Sequence, residues 1–154
     1  MITERINEIL KTREFISVAT AGLDGTPNAA PKFLLKRENN FVYLVDYTIG
    51  KTWQNLKNNP RVSLSFVDTD TLRGYQLNGS VEIIEKGAAY DKIMQELFQR
   101  EIDLSAKRII EGVTQGKVHE NFELAIPEKI VIFKIQIQEA VEIGPRGELK
   151  REKV

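Results

Sequence analysis

Lys51 and Thr52 are the residues of this 154-residue chain whose types and placement could do chemistry. They stand where the stretch TIGKTWQNLKNNP should turn from extended chain into a short helix. The first backbone N–H groups of a helix have no intrahelical acceptor, and the helix dipole favours an anion at that end. A cation and a hydroxyl added there suit a phosphate group. The competing reading is a solvated surface lysine beside a threonine that merely suits an early helical turn.

The elements that must position this pair can be read from the flanking residues. From Phe41, the run FVYLV suits a half-buried strand. The helix should begin near Thr48–Gly50, with Thr48 as its N-cap and Gly50 easing the turn. Ile49, Trp53 and Leu56 recur at helical spacing and give it one apolar face. Asn58-Asn59-Pro60 should stop it, because proline disfavours helical geometry in the residue before it. A second strand, Arg61 to Val67, follows with Val62, Leu64 and Phe66 on one side.

The rest of the chain supplies strands of the same kind. A short amphipathic helix capped by Thr3 opens the sequence, with Ile6, Ile9 and Leu10 on one face. A strand over Phe15 to Thr20 leads into an Asp24-Gly25 hairpin turn. Pro27 and Pro31 punctuate the returning strand, so part of it should have a free edge or a bulge. Tyr75, Leu77, Gly79, Val81 and Ile83 alternate along another strand, in which Gly74 and Gly79 suggest bends or close backbone approach. Two helical pieces are expected next, Gly87 to Ile102 and Ser105 to Val113. Ile93, Met94, Leu97 and Phe98 should be buried in the first, and Ile109, Ile110 and Val113 in the second. Val118 to Glu128 reads as irregular and contains the single histidine, His119. In the last strand, Ile130 to Ile143, the residues Ile130, Ile132, Ile135 and Ile137 read as an alternating set broken by Phe133. The charged tail GPRGELKREKV reads as loose. Six or so strands with tight hairpins and short helices make a mainly β (α+β) antiparallel barrel the natural architecture. The expected organisation is one domain over residues 1–145 and a charged C-terminal tail over 146–154.

Composition excludes several functional classes. Lys+Arg and Asp+Glu are both 22, so there is no electrostatic case for nucleic acid or an anionic membrane. The absence of cysteine rules out disulfides, thiolate metal sites and a cysteine nucleophile. One histidine cannot build a multi-histidine metal site. MITERINEIL lacks the pattern of a secretion signal, and no apolar run is long enough to span a bilayer, so a cytoplasmic protein is expected.

Taken in order, PKFLLK (31–36), YLVDYTIGKTWQNLKNNPRVSLSF (43–66) and RGYQLNGSVEII (73–84) resemble the pyridoxamine 5′-phosphate oxidase-like, FMN-binding split-barrel superfamily. The resemblance covers roughly Phe15 to Ile84 and implies a split-barrel homodimer with FMN at the subunit interface. It implies that Lys32, Phe33 and Leu34 run beside the flavin, partly through backbone groups. Val45 and Asp46 fall near the ring or ribityl chain, and Lys51 and Thr52 fall on the pair that holds the phosphate. Gln76 stands two residues beyond the place, here Gly74, where the oxidase proper carries a glutamine reaching the partner's flavin. An oxidoreductase working with a small-molecule electron donor or acceptor is therefore expected, its redox chemistry carried by the isoalloxazine. No side chain is an evident acid or base.

The oxidase proper also has a C-terminal Arg/His substrate element that EIGPRGELKREKV does not contain, so oxidation of B6 phosphates is not expected. Lys36 matches a lysine near that substrate, although a lone lysine at a strand end is more often solvated. The superfamily also hosts deazaflavin-dependent and haem-handling proteins. A non-catalytic flavin- or haem-binding barrel is accordingly the alternative, with His119 either a haem ligand or an exposed loop residue.

Overall fold

The computed structural model describes residues 2–116 and 129–154. The chain divides into two compact units, one comprising residues 1–84 with 130–154 and the other residues 85–129.

The first unit is a closed antiparallel barrel. Helix α1 (Glu4–Lys11) precedes strands β1 (Phe15–Ala21), β2 (Pro27–Glu38) and β3 (Phe41–Asp46). Helix α2 (Lys51–Asn58) then leads to β4 (Arg61–Asp68) and β5 (Arg73–Ile84). After the second unit, β6 (Val131–Ile143) and β7 (Leu149–Lys153) complete the sheet. Strand order is β3-β2-β1-β4-β5-β6-β7, and an additional β3–β6 pairing closes the first six into a barrel. β6 can serve both neighbours because its first half pairs β3, from Asp46 opposite Val131 to Phe41 opposite Gln136. Its second half pairs β7, from Glu139 opposite Lys153 to Ile143 opposite Leu149.

Alternation along the strands fills the barrel. Ile16, Val18, Leu34, Val42, Leu44, Val62, Leu64, Phe66, Tyr75 and Leu77 meet inside, joined by Ile6 and Leu10 of α1 and Leu56 of α2. Burying a side chain of this size contributes about 1.5–3 kcal/mol. On β6 the inward residues are Val131, Phe133, Ile135 and Ile137. The period of two therefore places Phe133 within the core stripe, while Ile130 and Ile132 belong to the opposite face.

Both expectations for the proline-bearing strand are met. β3 pairs β2 only from Phe33 onward, which leaves the edge over residues 27–32, with both prolines, unpaired on that side. The register then shifts between Leu34 and Lys36. Gly79 is required by close approach, since a Cβ there would lie 2.1 Å from the Gln136 carbonyl oxygen. Gly74 meets only ordinary contacts at 3.6 Å or more.

Other expectations need correction. The tail is not loose throughout, because residues 149–153 form β7, joined to β6 by a turn in which Gly147 has φ +86°. The charges LKREK suit an exposed edge strand, and Arg151 bonds Glu139 at 2.6 Å. The helices are not all short either. In the second unit, α3 (Ala88–Gln115) is one helix of 28 residues. No proline interrupts it, Gly112 is tolerated inside it, and left-handed Gly116 caps it. Its buried stripe runs through Ile93, Leu97, Glu101, Leu104 and Arg108, whereas Phe98, Ile109, Ile110 and Val113 are exposed. Among the described residues, no helix is long and apolar enough to cross a membrane. The irregular segment read over Val118 to Glu128, with His119, lies outside the described residues.

Candidate functional site

Helix α2 is held on the β1–β2 hairpin along its length by three side-chain bonds. Asn28 donates to the Thr52 hydroxyl at 3.3 Å, Asn55 to the Thr20 hydroxyl at 3.1 Å and Asn59 to the Ala21 carbonyl at 3.3 Å. Thr52 and Asn55 are buried, as is Thr20. The helix thus carries its first turn on a fixed base. The hairpin is itself fixed by Gly25 at φ +82° and by the Asp24 carboxylate, which accepts from the Thr26 amide at 3.0 Å. That bond does most to hold the Asp24 carboxyl below its ordinary range, and the nearby Lys51 ammonium adds a smaller pull in the same direction.

At the helix start, Gly50 rather than Thr48 is the N-cap, and it provides no side-chain hydrogen bond. Gln54 is the first residue to bond back, donating to the Gly50 carbonyl at 3.0 Å. The amides of Lys51 and Thr52 precede that bond, in the turn where helix amides have no intrahelical acceptor. Lys51 is exposed, and no ion pair engages it among the described residues. A dipole that favours negative charge, the amides of Lys51 and Thr52 and the exposed Lys51 side chain all belong to one point of the chain, the first turn of α2. Such a point can hold a phosphate monoester.

Thr48 is drawn elsewhere. Asp46 is fully buried at the end of β3, and its Oδ1 accepts from Lys32 Nζ at 2.8 Å, the Thr48 hydroxyl at 2.9 Å, the Thr48 amide at 3.1 Å and the Ile49 amide at 3.3 Å. Lys32 Nζ also donates to the Thr48 hydroxyl at 3.0 Å. The pattern arises because Ile16 and Lys32 are paired on the inner face of β1–β2, while Asp46 follows Val42 and Leu44 inward on β3. Asp46 Oδ2 is buried without a hydrogen-bond partner among the described residues. Ile49 has φ +46°, a left-handed conformation that a β-branched residue rarely takes.

The residues picked out in the sequence therefore fall into separate groups. Lys32 and Asp46 meet as a buried ion pair. Phe33 and Val45 are paired across β2 and β3 and buried outside the barrel's core cluster. Leu34 points into the core. Lys51 and Thr52 form the helix start. Gln76 stands apart on β5, in one transverse row with Ser65, Ser17 and Pro31. At about 4.8 Å per strand, that row puts Gln76 roughly 14 Å along the sheet from β2. The row and its neighbour, Asn78–Ser63–Ala19–Ala29, make an outer face of small residues. An open groove of about 510 Å³, lined by Ala19, Ala21, Asn59, Arg61, Ser63 and Asn78, lies along it. Asn28, the Thr48 bridge and this groove escaped the sequence reading. Only the asparagine between the two prolines carries a hint, since a polar residue there alternates with exposed positions.

Residues 2–126 match the sequence profile of the pyridoxamine 5′-phosphate oxidase family. An uncharacterised protein of Methanocaldococcus jannaschii is 32% identical over 99 residues, covering 62% of this chain and 64% of that relative, so the match spans less than two thirds of its length. Among solved structures, a Clostridium acetobutylicum protein related to general stress protein 26 of Bacillus subtilis, of the pyridoxinephosphate oxidase family, aligns with TM-score 0.69 at 18% identity over 97% of this chain and 92% of that one. The haem storage protein of Vibrio cholerae aligns with TM-score 0.64 at 16% identity, over 94% and 96%. A pyridoxamine 5′-phosphate oxidase-related, FMN binding protein of Nostoc punctiforme aligns with TM-score 0.58 at 13% identity, over 97% and 92%. The six-stranded closed barrel and the profile match agree: the chain belongs to the pyridoxamine 5′-phosphate oxidase family.

Proposed function

We propose that this protein binds FMN and works as a flavin-dependent oxidoreductase on a small-molecule donor or acceptor. The observation that carries the reading is the start of α2, where orphan amides, exposed Lys51 and buried Thr52 present donors and positive charge to a phosphate. The other flavin contacts are assigned to the backbone beside Lys32, Phe33 and Leu34 and to the chain end at Val45. When bound, the isoalloxazine supplies the electron transfer. The residues of this chain bind and orient it.

The flavin is placed at a homodimer interface. Support comes from the outer face of Ser17, Ala19, Ala29, Pro31 and Ser65, all exposed and small enough for a flat partner to approach closely. Gln76 is then a contact to the partner's flavin, which accounts for its distance from β2.

The likeness to a haem storage protein favours haem as the second reading. An absorbance spectrum of the purified protein, with mass analysis of the released cofactor, separates the two. Flavin bands and an FMN mass are expected, and a Soret band with no flavin would overturn the proposal. Sedimentation of the FMN-loaded protein should give a dimer, and a monomer that retains FMN would remove the interfacial placement.

A further inference from the structure

Asp46 and Lys32 face the barrel interior and are committed to each other. Ion pairs this buried are costly to desolvate, and an apolar pair of similar volume would often serve stability as well. What this pair adds is local. One carboxylate oxygen gathers the Thr48 amide, the Thr48 hydroxyl and the Ile49 amide, the two residues that lead into the N-cap Gly50. Lys32 braces the same oxygen and the same hydroxyl. Ile49 is left-handed, a conformation that persists in a β-branched residue only where the surroundings over-determine it.

We infer that the Lys32–Asp46 pair is a positioning device: it holds the Thr48–Gly50 turn in its strained shape, and so aims the free amides of α2 at the phosphate. The inference rests on the reading of α2 as a phosphate site. It assigns Asp46 an action through the turn rather than a contact with the ring or the ribityl chain. The predicted signature is therefore a change in preference for the phosphorylated ligand, with no general loss of flavin affinity.

Two double variants isolate the oxygen from the charge. Lys32→Met with Asp46→Asn removes both charges but leaves an amide oxygen to accept from Thr48 and Ile49. Lys32→Met with Asp46→Leu removes the acceptor as well. Dissociation constants for FMN and riboflavin are measured for both and for the wild type. The asparagine variant should keep the wild-type preference for FMN, whereas the leucine variant should lose about tenfold of it. Equal preference in the two variants overturns the inference, and so does a parallel loss of FMN and riboflavin in the leucine variant. Should the leucine variant not fold, amide exchange in the wild type decides: slow exchange at Thr48 and Ile49 supports the clamp, and exchange at the rate of an open loop overturns it. A wild type with no preference for FMN defeats the phosphate reading itself, which is distinct from a preference that survives loss of the oxygen.

Discussion

Helices α1 and α2 each have eight residues, and each lends an apolar face to the same barrel, yet their N-termini are finished in opposite ways. The Thr3 hydroxyl caps α1 by accepting from the Ile6 amide at 3.4 Å, and Glu4 puts a negative charge in the first turn. Both features satisfy the helix from within. α2 has a glycine cap without a side-chain bond and no acid in its first turn, and Lys51 places a positive charge against the dipole. Taken alone, that arrangement is unfavourable. It becomes favourable when an anion sits over the turn, and the contrast with α1 shows that this chain can finish a helix when nothing else has to bind there. An end left open on a helix fastened by Asn28, Asn55 and Asn59 is suited to a ligand that brings its own negative charge.

The contrast can be broken by changing one end at a time. The largest effect is expected from Lys51→Glu, which replaces attraction by repulsion at the phosphate. A hydrogen bond to a charged group contributes about 1.5–3 kcal/mol, so reversal should weaken FMN binding more than about 100-fold by titration. The unliganded protein should melt no lower, because an acid in the first turn suits the dipole. Next comes Gly50→Asp, which gives α2 the kind of cap that α1 has. A Cβ at Gly50 meets nothing within 4 Å, so the side chain fits. Stability without ligand should rise by a few tenths of a kcal/mol, while FMN affinity should fall about tenfold as the carboxylate competes for the same amides. A gain in both would mean that the open end is not the binding site. The smallest effect on binding is expected from Thr3→Ala. Denaturant unfolding should show a loss of about 1 kcal/mol, with the ratio of FMN to riboflavin affinity unchanged.

The same two ends show what was legible in the sequence. Thr3 is a local cap, readable from the residue type and the apolar spacing that follows it. Thr48 has the same residue type in an equivalent place, but a tertiary partner overrides the local rule, since buried Asp46 takes its amide and its hydroxyl. Nothing adjacent in the sequence announces that Lys32, far from Asp46 along the chain, will lie on the same inner face. The barrel was readable because alternation is a local signal, as on β4 and β5. Phe133 was misread because residues 130–133 are all apolar and buried, so the period of two is marked only from Lys134 and Gln136 onward. The charged β7 offered no apolar pattern at all, and it is held by pairing with β6. On α3, a change of stripe read as a break is one helix whose buried face includes Glu101 and Arg108, residue types that a search for apolar periodicity passes over.

The central claim, that the start of α2 recognises a phosphate through Lys51, is tested most directly by calorimetric titration of FMN and riboflavin into the wild type and Lys51→Ala. Loss of one charged hydrogen bond predicts about 10- to 150-fold weaker FMN binding in the variant. Riboflavin, which lacks the phosphate, should bind both proteins equally. Equal losses for the two ligands would make Lys51 a structural residue, and no loss for either would place the phosphate somewhere other than the start of α2.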